Sequence, residues 1–266
     1  MQALIAEIKI LFRMRQLLWV MTRRELATKH AATALGWIWP YLQPTLTIAA
    51  YYLVFDVVFS MRMGKQAPTE SVGAYLIVGA LPWMAFCDGL SRAMNSLIEA
   101  GGVLQKNPLP PVLFACRAVL ASTTIYVPLV LAVVVLYFPL HRGGLVLLTI
   151  VPLMFFQTAL VALLGYALAI LAAALRDVVQ IVGFMLSVGI YLSPALFPIS
   201  MFPQDWRWIL WANPVTATIV GFQEVLLQGQ WPTAMVWVAS ICWIGISAVV
   251  LSALIERSRD QLLDWL

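Results

Sequence analysis

Between Asp177 and Asp205 the chain carries no charged residue. Such a run is long enough to cross a bilayer, which takes about 20 apolar residues at a rise of 1.5 Å each. The run is broken near its far end by Pro194, Pro198 and Pro203, and then becomes a Trp-rich amphipathic piece (Trp206, Trp208, Trp211) ending at Asn213-Pro214. A simple anchor has no need of prolines followed by aromatic surface, so this stretch reads as an exit structure on the far side of a membrane. The rest of the chain agrees: 62% of its 266 residues are hydrophobic and only 11% are charged, against about 25% charged in soluble domains. No soluble fold hides that much apolar surface. We expect an all-α, polytopic integral membrane protein built as one domain over residues 1–266.

The segments follow from runs and breaks. Residues 1–18 place Leu4, Ile5, Ile8, Leu11 and Phe12 on one helical face, too short and too charged to span, so an N-terminal amphipathic helix lying in the interface plane is expected. Arg23-Arg24-Glu25 and Lys29 follow on a polar helical segment; residues 1–30 thus form an interface helix and a polar segment that is either a positive-inside anchor or a docking surface. Residues 31–266 hold six expected spans, at about 39–60, 72–90, 112–138, 144–175 (bent at Pro152), 178–198 and 234–255. The outer exit segment covers about 199–233, with re-entrant or interfacial helices between spans five and six. Between spans two and three, residues 91–111 carry a short helix bracketed by Gly101-Gly102 and by Pro108, Pro110 and Pro111. That piece is either a tight connection or a rigid knob for a socket on another protein.

Charge tests this topology. With both termini inside, the inner segments hold Lys9, Arg13, Arg15, Arg23, Arg24, Lys29, Arg92, Lys106, Arg117, Arg176, Arg257 and Arg259, and the outer ones Arg62, Lys65, Arg142 and Arg207. The bias toward one side fits the positive-inside rule and an even number of spans, with N- and C-termini cytoplasmic. The net charge of +4 gives no reason to expect nucleic acid. Asp56 sits near the far end of span one, facing water or a lumen, because a charge exposed to lipid costs a few kcal/mol. Cys87, Cys116 and Cys242 lie far apart without metal-ligand spacing and read as small buried residues. The first 30 residues lack the uninterrupted apolar stretch of a cleavable signal peptide.

Enzyme chemistry is sparse. His30 and His141 fall on opposite membrane faces in this topology, and no Gly-rich phosphate loop, HExxH or paired acidic metal motif is present. No span centre holds a clear ionisable residue, which disfavours a proton- or ion-coupled carrier. A protein that moves cargo without an energy motif of its own needs a partner that supplies one.

The chain resembles the permease subunits of type-2 ABC exporters, within them the polysaccharide-export group of O-antigen, capsule and teichoic-acid permeases. The resemblance rests on Arg23-Arg24-Glu25, Leu35-Gly36-Trp37-Ile38-Trp39-Pro40 with Pro44, and the Asn95–Pro111 loop with Lys106-Asn107-Pro108. It also rests on Arg176-Asp177, Ser193-Pro194 with Phe197-Pro198, Trp211-Ala212-Asn213-Pro214 and Gly221–Gly229. Leu104-Gln105-Lys106-Asn107-Pro108 departs from the Lys-Val-x-Phe-Pro form common in that group. The resemblance implies a homodimer in the bacterial plasma (inner) membrane, bound to two copies of a separate ATP-binding subunit that carries ATP and Mg, with no cofactor on this chain. The docking residues it implies are Arg23, Arg24, Glu25, Lys29, Asn95, Glu99, Leu104 and Lys106. Its cargo would be a lipid-linked glycan threaded outward at the dimer interface.

Sugars present apolar C–H faces and many hydroxyls, so flat amphipathic rings can hold them loosely. Tyr51, Tyr52, Phe55 and Phe59 in span one, with Tyr191 and Phe197 in span five, are the expected path, and Trp206, Trp208 and Trp211 the expected outer gate. The alternative for all of these is the ordinary aromatic belt of a membrane protein. Two other functions compete: a drug or small-lipid exporter permease, and a membrane-embedded transferase acting on lipid-linked sugars around Arg176-Asp177. The long amphipathic N-terminus and the aromatic count favour the glycan exporter.

Overall fold

The computed structural model describes all residues except 1, 29–35, 65–67, 108, 138–143 and 260, and every regular element among the described residues is helical. Lys29, His30, Lys65, His141 and Arg142 therefore lie outside the described residues. In chain order the α-helices are α1 (Gln2–Arg13), α2 (Arg15–Thr28), α3 (Trp39–Tyr51), α4 (Val72–Leu104), α5 (Val112–Tyr137) and α6 (Ile150–Ala174). They continue with α7 (Asp177–Gly189), α8 (Arg207–Trp211), α9 (Thr216–Leu226), α10 (Ala234–Ser258) and α11 (Leu262–Trp265). Four stretches are long and apolar enough to cross a membrane: Val72–Leu104, Val112–Leu136, Val146–Ala174 and Ala234–Ser258.

The bundle is built around α4, which buries most of its length against α5 and α6. Apolar side chains alone do not drive helices together in lipid, so close backbone approach has to supply the packing. Gly165 of α6 provides it: a Cβ there would lie 2.5 Å from the Ala93 Cβ of α4. At one end, Leu4 of α1, Leu104 of α4, Ile255 of α10 and Leu262 of α11 join one core cluster, so both termini meet at the same end of the bundle. At the other end Leu81, Val130, Leu153 and Phe222 form a second cluster.

Several boundaries differ from expectation. The amphipathic N-terminal segment is two helices that break at Met14; Leu4 is buried while Ile5, Ile8 and Phe12 stay exposed. Span two does not stop near Leu90 to be followed by a separate short helix. One 33-residue helix runs from Val72 through both glycines to Leu104, because its polar residues keep helical spacing and a lone glycine pair costs only about 1 kcal/mol per residue. Pro152 does not bend span four. It sits in the first turn of α6, after a 3₁₀ turn over Val146–Thr149, where its missing N–H costs no hydrogen bond. Span five is shorter than 178–198: α7 ends at Gly189 and a 3₁₀ turn closes it at Leu192. Cys242 is exposed on α10 rather than buried.

Span one continues α3 in a π-helix over Tyr52–Val58. That turn brings Asp56 to the start of α4. Ser71 Oγ donates to Asp56 at 2.5 Å, Gly73 N–H donates to it at 3.0 Å, and Ser71 Oγ accepts from Ala74 N–H. Asp56 is thus half-buried against the start of α4. It satisfies the free N–H groups at a helix N-terminus, where negative charge is favoured.

Candidate functional site

At the end of the bundle away from the termini, the π-helical continuation of α3 and the segment after α7 border an open cavity of about 480 Å³ lined by Tyr51, Phe55, Arg62, Leu76, Tyr191 and Phe197. Four of the six expected path aromatics therefore meet. Tyr52 and Phe59 do not line it; they are 53% and 63% exposed, although Phe59 still touches Phe55 with ring centroids 6.4 Å apart. The cavity floor is braced by Phe197 stacking on Phe202 at 5.8 Å. Arg62 and Leu76 were not expected there, since neither an outer-loop arginine nor a mid-helix leucine carries a signal of its own.

The exit loop beside this cavity is latched. The Pro194 carbonyl accepts from Tyr75 Oη of α4 at 2.6 Å and from Gln223 Nε2 of α9 at 2.7 Å. Ala195 seats against Gly79, where an added Cβ would lie 2.7 Å from the Ala195 carbonyl oxygen. Asn213 Nδ2 donates to the Gly189 and Leu192 carbonyls at 3.4 Å and so closes the end of α7. Helix α9 is buried along its length and packs on α4, α6 and α10. Its Glu224 accepts from Thr233 N–H at 2.8 Å at the start of α10. The sequence motifs around Pro194, Asn213 and Gly221–Gly229 thus hold the loop after α7 in place through hydrogen bonds. Tyr75 and Gln223 were missed as its anchors; the signal available was a glutamine inside an otherwise apolar helix. Trp206 and Trp208 stand exposed on and beside α8, while the Trp211 carbonyl accepts from Trp243 Nε1 of α10 at 3.2 Å. The three expected gate tryptophans therefore divide into two outward rings and one tethered residue.

The expected docking residues also divide. Arg23, Arg24, Glu99 and Lys106 are exposed. Leu104 is 1% exposed and belongs to the core, so it supports that end of α4 instead of touching a partner. Glu25 turns inward to pair with Arg117 at 3.1 Å and ties α2 to α5. Arg24, Glu25, Asn95 and Glu99 line a polar cavity of about 630 Å³ together with Asp88, Ser91, Arg92 and Arg117. Arg92 pairs with Asp88 at 2.7 Å, and Ser122 Oγ donates to the same carboxylate at 2.7 Å.

Four of the helices in this bundle are long and apolar enough to cross a membrane. Residues 16–227 match the family described as ABC-2 type transporter, and the chain belongs to that family, whose members are transport permeases and not enzymes. Among curated proteins it is 26% identical over 262 residues to the O-antigen export system permease protein RfbA of Myxococcus xanthus, covering 96% of each chain. It is 24% identical over 227 residues to the protein of the same name from Klebsiella pneumoniae, covering 80% of this chain and 81% of that one. The polysialic acid transport protein KpsM of Escherichia coli is 22% identical over 213 residues, with 77% and 79% covered.

Proposed function

We propose that this chain is the membrane permease of an ATP-driven exporter that moves lipid-linked polysaccharide, of the O-antigen kind, out across the bacterial inner membrane. The observation that carries the reading is likeness along 96% of the chain to an O-antigen export permease. Two copies of the chain form the channel, and two copies of a separate ATP-binding subunit, holding ATP and Mg, drive it. Six spans with both termini cytoplasmic are supported by the four long apolar helices, by α3 with its π-helical continuation and by the apolar α7. The meeting of Leu4 and Leu262 at one end supports the placement of the termini. The exposed Ile5, Ile8 and Phe12 suit a helix lying on the inner membrane surface. Arg23, Arg24, Glu99 and Lys106 are the ATPase-docking residues, with Lys29 following α2 in sequence. Glu25, Asn95 and Leu104 hold that surface in shape. Tyr51, Phe55, Tyr191 and Phe197 line the glycan path, with Trp206, Trp208 and Trp211 at its outer gate.

The test is co-purification in nanodiscs with a candidate ATP-binding subunit carrying a Walker motif, comparing wild type with Arg23→Glu and Lys106→Glu. A two-plus-two complex, with ATP hydrolysis that either reversal uncouples or dissociates, is expected. Purification of the chain alone, with transferase activity on lipid-linked sugars, would sink the proposal.

A further inference from the structure

Two cavities meet at the Asp88–Arg92 pair, about midway along α4. The polar one is walled by three cations (Arg24, Arg92, Arg117), three anions (Glu25, Asp88, Glu99) and the Asn95 amide. The second, about 480 Å³, lies between α3, α4 and α5 and adds Trp39, Gln43 and Tyr126 to a wall otherwise formed by prolines, Met84, Cys87 and Ile125. We infer that this double chamber is a carbohydrate subsite that selects uncharged glycan over polyanionic glycan. The inference deepens the export reading by naming its substrate class, and it rests on that reading only for where the glycan comes from.

Charge decides the chemistry. Cations and anions balance, and at least two of each are already paired across the walls, Arg92 with Asp88 at 2.7 Å and Arg117 with Glu25 at 3.1 Å. An anionic sugar would have to leave water for a site with no net positive field, and a partly buried charge without compensation is costly. A sugar hydroxyl both donates and accepts, so it adds to guanidinium and carboxylate groups without breaking their pairing. Asn95 and Gln43 offer amides with both functions. Trp39 and Tyr126 supply rings of the kind that cover the apolar C–H faces of a pyranose. The volume of each chamber lies within the roughly 300–1,000 Å³ of small-molecule sites. The Ser122–Asp88–Arg92 chain of hydrogen bonds fixes the boundary between the chambers.

The test places the full-length chain, in nanodiscs, on an array of neutral and acidic oligosaccharides of matched length. Wild type is expected to retain neutral glycans in preference to acidic ones. Asn95→Leu should weaken neutral binding by about tenfold, the scale of one lost polar contact. Glu99→Lys should shift the preference toward acidic glycans, a gain that misfolding cannot produce. Binding no greater than that of empty nanodiscs, a wild-type preference for acidic glycans, or indifference to both variants overturns the inference. Loss of the subsite with the ATPase still co-purifying leaves the exporter reading intact, and neutral glycan binding without any ATPase partner does the reverse.

Discussion

Gly73 and Asp56 occupy one another's space. A Cβ at position 73 would lie 2.6 Å from Asp56 Oδ2, so Gly73→Ala forces the carboxylate off the α4 N-terminus. We expect a loss of about 1–3 kcal/mol, the range for overpacking, seen as a lower Tm of the purified chain; an unchanged Tm would show the cap to be dispensable. Glu7 makes a second case. Burial pushes its carboxyl above the ordinary 4.5, with Arg259 partly offsetting, and its Oε2 has no hydrogen-bond partner among the described residues. Below pH 4.5 the group is neutral in folded and unfolded chains alike and costs nothing. Above its raised folded value it is ionised in both, and the burial penalty is felt in full. Stability is therefore lost as pH rises through that interval. Glu7→Gln should flatten this part of the Tm-against-pH curve, and a curve of unchanged slope would place the titration elsewhere.

Helices α5 and α10 begin and end within a few residues of where hydrophobic runs place them, because lipid leaves a spanning segment no other way to satisfy its backbone. The end of span five was not legible. It is set by Tyr75 and Gln223 closing on the Pro194 carbonyl, contacts 119 and 29 residues apart in sequence. The path aromatics were legible in part for a related reason. Tyr51 and Phe55 share a face at i and i+4, but the π-helical turn over Tyr52–Val58 breaks the regular spacing that would put Phe59 with them. The same carbonyl gives a prediction. Tyr75→Phe or Gln223→Leu alone leaves one donor and should cost about 0.5–1.5 kcal/mol. The double variant strands a buried carbonyl and should cost more than the two losses added. Amide exchange over residues 195–201 should speed up in step, and strictly additive effects would argue against a shared latch.

At the scale of the whole molecule, helix α7 has the least cover. Ile181, Phe184, Met185 and Tyr191 are all exposed, and Tyr191, just past the end of α7, lines the aromatic cavity. In the proposed dimer this face meets the partner copy. Phe184→Cys, in a chain with Cys87, Cys116 and Cys242 replaced by serine, should form a disulfide-linked dimer on oxidation in membranes. The same substitution at Val249 of α10, also exposed, should not. Crosslinking of equal extent at both sites would deny α7 a special place. Sequence alone could not rank these faces, since lipid and a second protomer both accept bare apolar side chains.

Helix α7 with its closing 3₁₀ turn holds 13 and then 3 residues, a rise of roughly 25 Å where the hydrocarbon core is about 30 Å thick. In the proposed six-span topology that shortfall is a hydrophobic mismatch, one that local thinning of the bilayer would relieve. On that reading, cargo leaving past the Pro194 turn crosses less oil than a lipid molecule spans, and the lipids themselves become part of the gate.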